Sequence, residues 1–540
     1  MHPRRGATTQ RAWPSAIHEN FYERPSGDPG SLEIWGYTDR LSYAPGETIR
    51  LHVCCSTPTF DLRIERDGLR TERVFEQEGL TGGWHPTPGD CSVDGCGWPV
   101  AFELAVPADW RSGGYLVTLR ARDGEGTEAV QHHVFVVRPA EDGPRAPLLM
   151  IASSCTWTAY NDWGGSNHYE GITGPAGNDF APLVSTERPM SRGFAWLPEG
   201  APRVALDRPP PIGAAPRYPH MEWAYANGFS KKYASAGWAS YDRHFLRWAE
   251  AAGYEVDLAS QHDLHYRSDL LAPYKAVVFV GHDEYWSWPM RDAVDRYVEG
   301  GGRVARFAGN FLWQIRLEDE GRKQVCYKYR ALAEDPLVGT AERHLTTSCW
   351  EAEPVGRPGA ATFGLSALRG VYAGWGGCAP RGSGGFTVYR PEHWLFEGTD
   401  LYYGDIFGAE ARIFGYEVDG LDYEIRGGLP TPTGVDGEPE GLEILAMGLA
   451  TTREEDHGNP GTDLFIGSED ARFKAEILHG AATPETIDRV TRGSGMIVAF
   501  RRGAGEVVHA GTCEWVMGLK ARDATVERIT RNVLDRFLQR

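Results

Sequence analysis

At 540 residues the chain is too long for a single hydrophobic core, and its 41% hydrophobic and 24% charged residues are those of an ordinary soluble globular protein. A net charge of -19 argues against a nucleic-acid partner, whose phosphates would repel it, and no apolar run approaches the length of a membrane span. Nine cysteines, an odd number scattered over the chain, fit reduced thiols in the cytoplasm better than a disulfide framework.

Residues 1–30 are polar and rich in Pro, Gly and Arg, and are expected to form an N-terminal arm. Their basic residues precede no apolar stretch, so no secretory signal is expected. From 31 to 138 short alternating runs recur at 32–37, 48–53, 60–65, 100–106 and 115–122, with turn signals such as Ala44-Pro-Gly and Ser112-Gly-Gly between them. That pattern predicts an Ig-like β-sandwich serving as a packing or assembly module. Cys91 and Cys96 are near enough for a local bridge, but the stretch reads as a polar loop. Residues 139–147, Pro-rich and polar, read as a linker.

Beyond the linker the period changes. Apolar runs at 148–152, 254–259, 276–280 and 303–310 alternate with helical spacing, as in Phe245, Trp248, Ala249 and Ala252. This order predicts an α/β unit over 148–540 built on a doubly wound parallel sheet. Residues 320–450 are Gly- and Trp-rich and are expected to form a β-rich insertion or cover. Strands return at 443–449, 495–500 and 506–511, and a last helix carries Val526, Ile529, Val533 and Phe537 on one face.

The stretch at 275–290 concentrates chemistry. Its β-branched run reads as a strand buried on both faces, and Ser287 and Pro289 open a helix. Between them lie Gly281, His282, Asp283 and Glu284, at the carboxyl end of a strand, where ligands bind in open α/β sheets. The plainer alternative is that these acids only cap the helix. The turn holds neither Ser nor Cys as a nucleophile, and Ser154 and Cys155 after the first strand have no diagnostic His partner. Water activated by a metal is therefore the better expectation. Paired CxxC and HExxH motifs are missing, and His262 and His265 read as a solvated loop. A hard cation such as iron(III) accepts carboxylate and phenolate oxygens. Glu284 is a candidate for the carboxylate and tyrosines near the strand ends for the phenolates, but periodicity does not choose among 23 tyrosines.

Tyr160-Asn-Asp-Trp-Gly-Gly165, His168-Tyr169, residues 203–209, Gly281-His-Asp-Glu-Tyr-Trp-Ser287, Phe307-Ala-Gly-Asn310, Trp394-Leu-Phe-Glu-Gly and Gly415-Tyr-Glu417 together resemble the large (beta) subunit of N,N-dimethylformamidase. The resemblance covers about 148–540. It implies a glutamine-amidotransferase-like α/β core beside a β-sandwich. It also implies a mononuclear iron, as Fe3+, held by two tyrosines and one glutamate, and hydrolysis of a small N-substituted amide. On that pattern Glu284 is the metal glutamate and Tyr160 one phenolate, with Tyr169 as its neighbouring alternative. The second phenolate is expected near 207–211, where this chain has prolines; Tyr218 is the first tyrosine after them. His282 is placed to orient substrate or water, Asn310 to donate to a carbonyl or to Glu284, and Glu417 to act as a base. Trp163, Trp286 and Phe307 are candidates for an N-alkyl pocket or plain core. The family enzyme is longer at its N-terminus and pairs with a separate small subunit; this chain is expected to be a cytoplasmic homo-oligomer, alone or with such a partner. Two rivals stay open: a metal-free hydrolase using Cys155, and a non-catalytic small-molecule binding or assembly protein.

Overall fold

The computed structural model describes residues 5–7, 21–28, 30–140, 143, 145–172, 179–203, 219–373, 384–451 and 468–539. Residues 34–137 fold into two sheets. The strands are β1 (Ile34–Thr38), β2 (Ser42–Tyr43), β3 (Thr48–Cys55), β4 (Thr59–Asp67), β5 (Thr71–Thr81), β6 (Val100–Ala105), β7 (Gly113–Arg122) and β8 (Glu128–Val137). One sheet runs β1-β3-β6 and the other β2-β8-β7-β4-β5. Alternation explains the packing: Phe60, Leu62 and Ile64 on β4 point inward with Ile49, Leu51, Val117 and Phe135 to form a core of their own. The opposite face of β7 and β8 is apolar too, and its Leu116, Val134 and Val136 join the main core of the molecule. Cys91 and Cys96 do not sit in a polar loop. They are buried with Trp35, Trp98 and Trp163, because the segment around them folds against residues 163–187 and Cys96 donates its backbone N–H to the Glu187 carbonyl at 2.9 Å.

The rest is organised by a nine-stranded sheet. Its members are β9 (Leu148–Ala152), β10 (Val256–Ser260), β11 (Ala276–His282), β12 (Arg303–Gly309), β13 (Phe386–Val388), β14 (Ile406–Phe407), β15 (Glu443–Thr451), β16 (Arg492–Arg502) and β17 (Gly505–Ala510), in the order β10-β9-β11-β12-β17-β16-β15-β13-β14. The first five are parallel, as the alternation predicted. The remaining pairings are antiparallel, because β16 and β17 are joined by a tight turn at Gly503 rather than by a helical crossover. Two strands from the 320–450 stretch extend this sheet at its far edge.

Helices cover both faces of the parallel half. On one, Phe279 packs on Trp286 and Phe363; on the other, Phe307 stacks on Trp515 at 5.3 Å and meets Phe245. The carboxyl ends of β9, β11, β12 and β17 therefore open along one edge. There β9 leads into α1 (Ser154–Tyr160), and β11 leads through a short strand, Tyr285–Ser287, into α2 (Trp288–Glu299), whose start at Ser287 and Pro289 is the one predicted.

Candidate functional site

Gly281 breaks β11 just before its end. Its φ is +73°, and a Cβ there would lie 2.5 Å from the Tyr241 Cβ, so only glycine fits. The break turns His282 and Glu284 inward. The Glu284 backbone N–H donates to Thr156 Oγ1 at 3.0 Å, tying the turn to α1. His282 Nδ1 donates to the Ser235 carbonyl at 2.7 Å, which leaves Nε2 3.3 Å from Glu284 and 2.8 Å from Glu417. Burial opposes a charge on this ring, but the two carboxylates overcome it and push its pKa up to about 10. Burial likewise works against Glu284, and His282 and Lys328 hold its carboxyl below the usual range.

Asn310 ends β12 in the left-handed conformation, φ 65°, with its backbone N–H on Asp419 at 2.7 Å. Its side-chain amide donates to Glu417 and lies 3.3 Å from His282 Nε2. Glu417 arrives on a strand, Tyr416–Gly420, whose Glu417 carbonyl accepts from the Cys513 N–H just past β17.

Tyrosines crowd the other side. The Tyr169 hydroxyl donates to Glu284 at 2.6 Å, and Tyr285 donates to Tyr169 at 2.8 Å. The Tyr160 ring lies 4.3 Å from that of Tyr169 and 5.1 Å from His282, and Tyr416 lies 5.3 Å from His282. Lys328 Nζ sits 3.4 Å over the Tyr169 ring, a cation–π contact. Burial, then the Glu284 charge, raises the phenols of Tyr160, Tyr169 and Tyr285 well above their ordinary range. A bound cation reverses that logic by favouring the phenolate.

Tyr160, His282, Glu284, Asn310 and Glu417 are thus brought together, and Tyr169 contacts Glu284 directly. Tyr218 lies outside the described residues. Tyr285, Tyr416, Lys328 and Cys513 were missed; of these, Tyr285, inside the His-Asp-Glu-Tyr motif, and Tyr416, inside Gly415-Tyr-Glu417, carried a local signal. Asp283 turns away into a buried pair with Arg306. Cys155 is fully buried, and burial with nearby Asp283 pushes its thiol up, the reverse of what a nucleophile needs. His262 and His265 lie on a short helix, Gln261–Tyr266, bonded to Ser154 and Ser287 rather than solvated. Trp163, Trp286 and Phe307 are core residues.

A cavity of about 40 Å³ opens onto this cluster, lined by Tyr169, Glu284, Asn310 and Glu417 and by the apolar Leu312, Trp313, Leu368 and Phe473. The donor chemistry fits a hard cation such as iron(III), because phenols and carboxylates dominate. Ligand atoms of His282, Glu417 and Cys513 lie within 4.8 Å of one another.

The model of the family "N,N-dimethylformamidase beta subunit-like, C-terminal" matches residues 62–528. The N,N-dimethylformamidase beta subunit of Alcaligenes sp is 25% identical over 480 residues, 83% of this chain and 55% of that protein. The same-named subunit of Paracoccus aminophilus is 24% identical over 482 residues, with the same coverage. The chain therefore spans about half the length of these curated relatives. A sporulation control protein of Bacillus subtilis, Spo0M, aligns at a TM-score of 0.15 and 16% identity over 20% of this chain and 49% of that one, too low to bear on the fold.

Proposed function

Because the chain belongs to the N,N-dimethylformamidase beta subunit-like, C-terminal family, we propose that it hydrolyses the carbon–nitrogen bond of a small linear N-substituted amide, such as an N,N-dialkylformamide. Support comes from the meeting of Glu284, His282, Asn310 and Glu417 at one small cavity. Glu284, with Tyr160 and either Tyr169 or Tyr218, would hold a mononuclear ferric ion. Such an ion, when bound, acidifies water and polarises a carbonyl.

The chain's own residues supply the rest. Glu417 takes a proton from the attacking water and returns one to the leaving amine. His282, fixed by the Ser235 carbonyl between the two carboxylates, holds Glu284 and Glu417 in place. Asn310 donates to the amide oxygen as negative charge develops on it. The apolar walls keep bulk water from the reacting atoms.

The same proposal extends to the whole chain. We assign an arm at 1–30, an Ig-like sandwich at 31–138, a linker at 139–147 and a glutamine-amidotransferase-like unit at 148–540. The separate sandwich core and the parallel half-sheet support that division. Among the described residues no helix is long and apolar enough to cross a membrane. We place the protein in the cytoplasm as a homo-oligomer, alone or with a small subunit, since both relatives are named beta subunits.

Metal analysis and visible absorption of the purified protein test this first. Near-stoichiometric iron, a phenolate-to-iron(III) band and cleavage of small formamides are expected, and Glu284→Ala should lose both iron and hydrolysis. Full activity in that variant, or no iron after supplementation, would overturn the assignment.

A further inference from the structure

The cavity beside the carboxylates does not end in an apolar wall. Tyr329, Asp470 and Lys474 also line it, the last two one turn apart on the helix Ser468–His479. The Tyr329 hydroxyl donates to Asp470 Oδ1, and Lys474 Nζ donates to the Gly370 carbonyl at 3.2 Å. No ion pair joins Asp470 to Lys474. Among the described residues, Asp470 Oδ2 and two of the three Lys474 protons are left without a protein partner. Both side chains line this small cavity together with Leu312, Trp313 and Phe473.

This is the wrong lining for a substrate whose nitrogen carries only alkyl groups. An amide bearing two methyls brings C–H bonds alone, and would displace water from the Asp470 carboxylate and the Lys474 ammonium without replacing its hydrogen bonds. A neutral group that both donates and accepts satisfies the two together: it gives a hydrogen bond to Asp470 and takes one from Lys474. Glu284, Asn310, Asp470 and Lys474 all line the one cavity, so a single small ligand there meets both pairs.

We propose that the substrate of this chain carries a hydroxyl or carboxamide on its nitrogen substituent, recognised by Asp470 and Lys474 in the lining of the catalytic cavity. This specificity rests on the amidase assignment above and narrows it to N-(hydroxyalkyl)- or N-(carbamoylalkyl)amides.

The test uses the iron-supplemented full chain and two isosteric probes, N-(2-hydroxyethyl)formamide and N-propylformamide. The hydroxyl compound should have the higher kcat/KM, by on the order of 100-fold, because a site built to bond a substrate group rejects the analogue that lacks it. Asp470→Leu and, independently, Lys474→Met should each bring the ratio of the two kcat/KM values towards one, with thermal melts confirming that both variants fold. Equal rates in the unaltered protein, or a preference that survives both substitutions, would overturn the inference while leaving the amidase assignment standing. If neither compound is cleaved, the amidase assignment fails. Isothermal titration calorimetry with the two compounds then decides the recognition: tighter binding of the hydroxyl compound that is lost in Asp470→Leu supports it, and equal binding refutes it.

Discussion

Asn310 reaches the cavity through one torsion, a left-handed φ that aims its amide at Glu417 and His282. If it donates to the amide oxygen as charge develops, Asn310→Ala should lower kcat by roughly 100- to 1000-fold and leave KM nearly unchanged; a steady-state comparison on one formamide checks this. Glu170 gives the acid dependence. Burial alone would raise its pKa, but Lys231 at 2.7 Å and Lys232 at 3.1 Å overcome it and bring it down to about 2. A carboxylate depressed in the folded state contributes stability that is fully present above its unfolded pKa of about 4.3 and lost as pH falls towards 2. Melting temperatures between pH 5 and 2 should therefore fall less steeply in Glu170→Gln than in the unaltered protein. Residue identities at the site were legible where a motif held several of them together, as in His282-Asp-Glu284. They were not legible where a single residue came alone from far away. Lys328, Asp470 and Cys513 sit in stretches with no local mark of chemistry.

The turn at the end of β11 is the element on which the site depends. Gly281→Ala puts a Cβ against Tyr241 and forces a left-handed φ on an L side chain. It should lower the melting temperature and remove most of the activity, and a calorimetric scan beside an assay would separate the two effects. This element was readable in advance because a buried parallel strand, a glycine and a helix start each leave a local trace. The short strand Tyr285–Ser287 was not readable. Its partner is Trp313–Glu318, beyond the whole of α2 and β12, and only that pairing carries Tyr285 to Tyr169. The strand bearing Glu417 is the same case, paired to Ser366–Ala373. Alternation reports which face is buried; it does not report the distant strand that buries it.

Across the whole molecule, the sandwich and the α/β unit are joined by a buried charge. Asp67 on β4 accepts from Trp238 at 2.7 Å, from Arg243 at 3.0 Å and from Arg247 at 2.6 Å. Beside it Gly114 passes so close to the Trp238 ring that a Cβ would lie 2.3 Å away. Asp67→Ala would strand two arginines that reach only partly into water and should cost about 2 kcal/mol. A single thermal transition should then separate into two, read by differential scanning calorimetry. That there are two cores was legible from the change of hydrophobic period near residue 147. That β7 and β8 are apolar on both faces, and so weld the cores together, was visible only once the second core was in place.

The central position of β17 has a consequence for how the molecule assembles. Its parallel partner β12 lies some two hundred residues earlier in the chain, while its antiparallel partner β16 immediately precedes it. The middle of the sheet is therefore the last part to be supplied as the chain emerges, and long-range pairing of this kind is slow to form. Until it forms, the Glu417 carbonyl lacks the Cys513 N–H that holds it. Helices and the sandwich can take shape early, but the cavity becomes competent only when this late strand closes between its two neighbours.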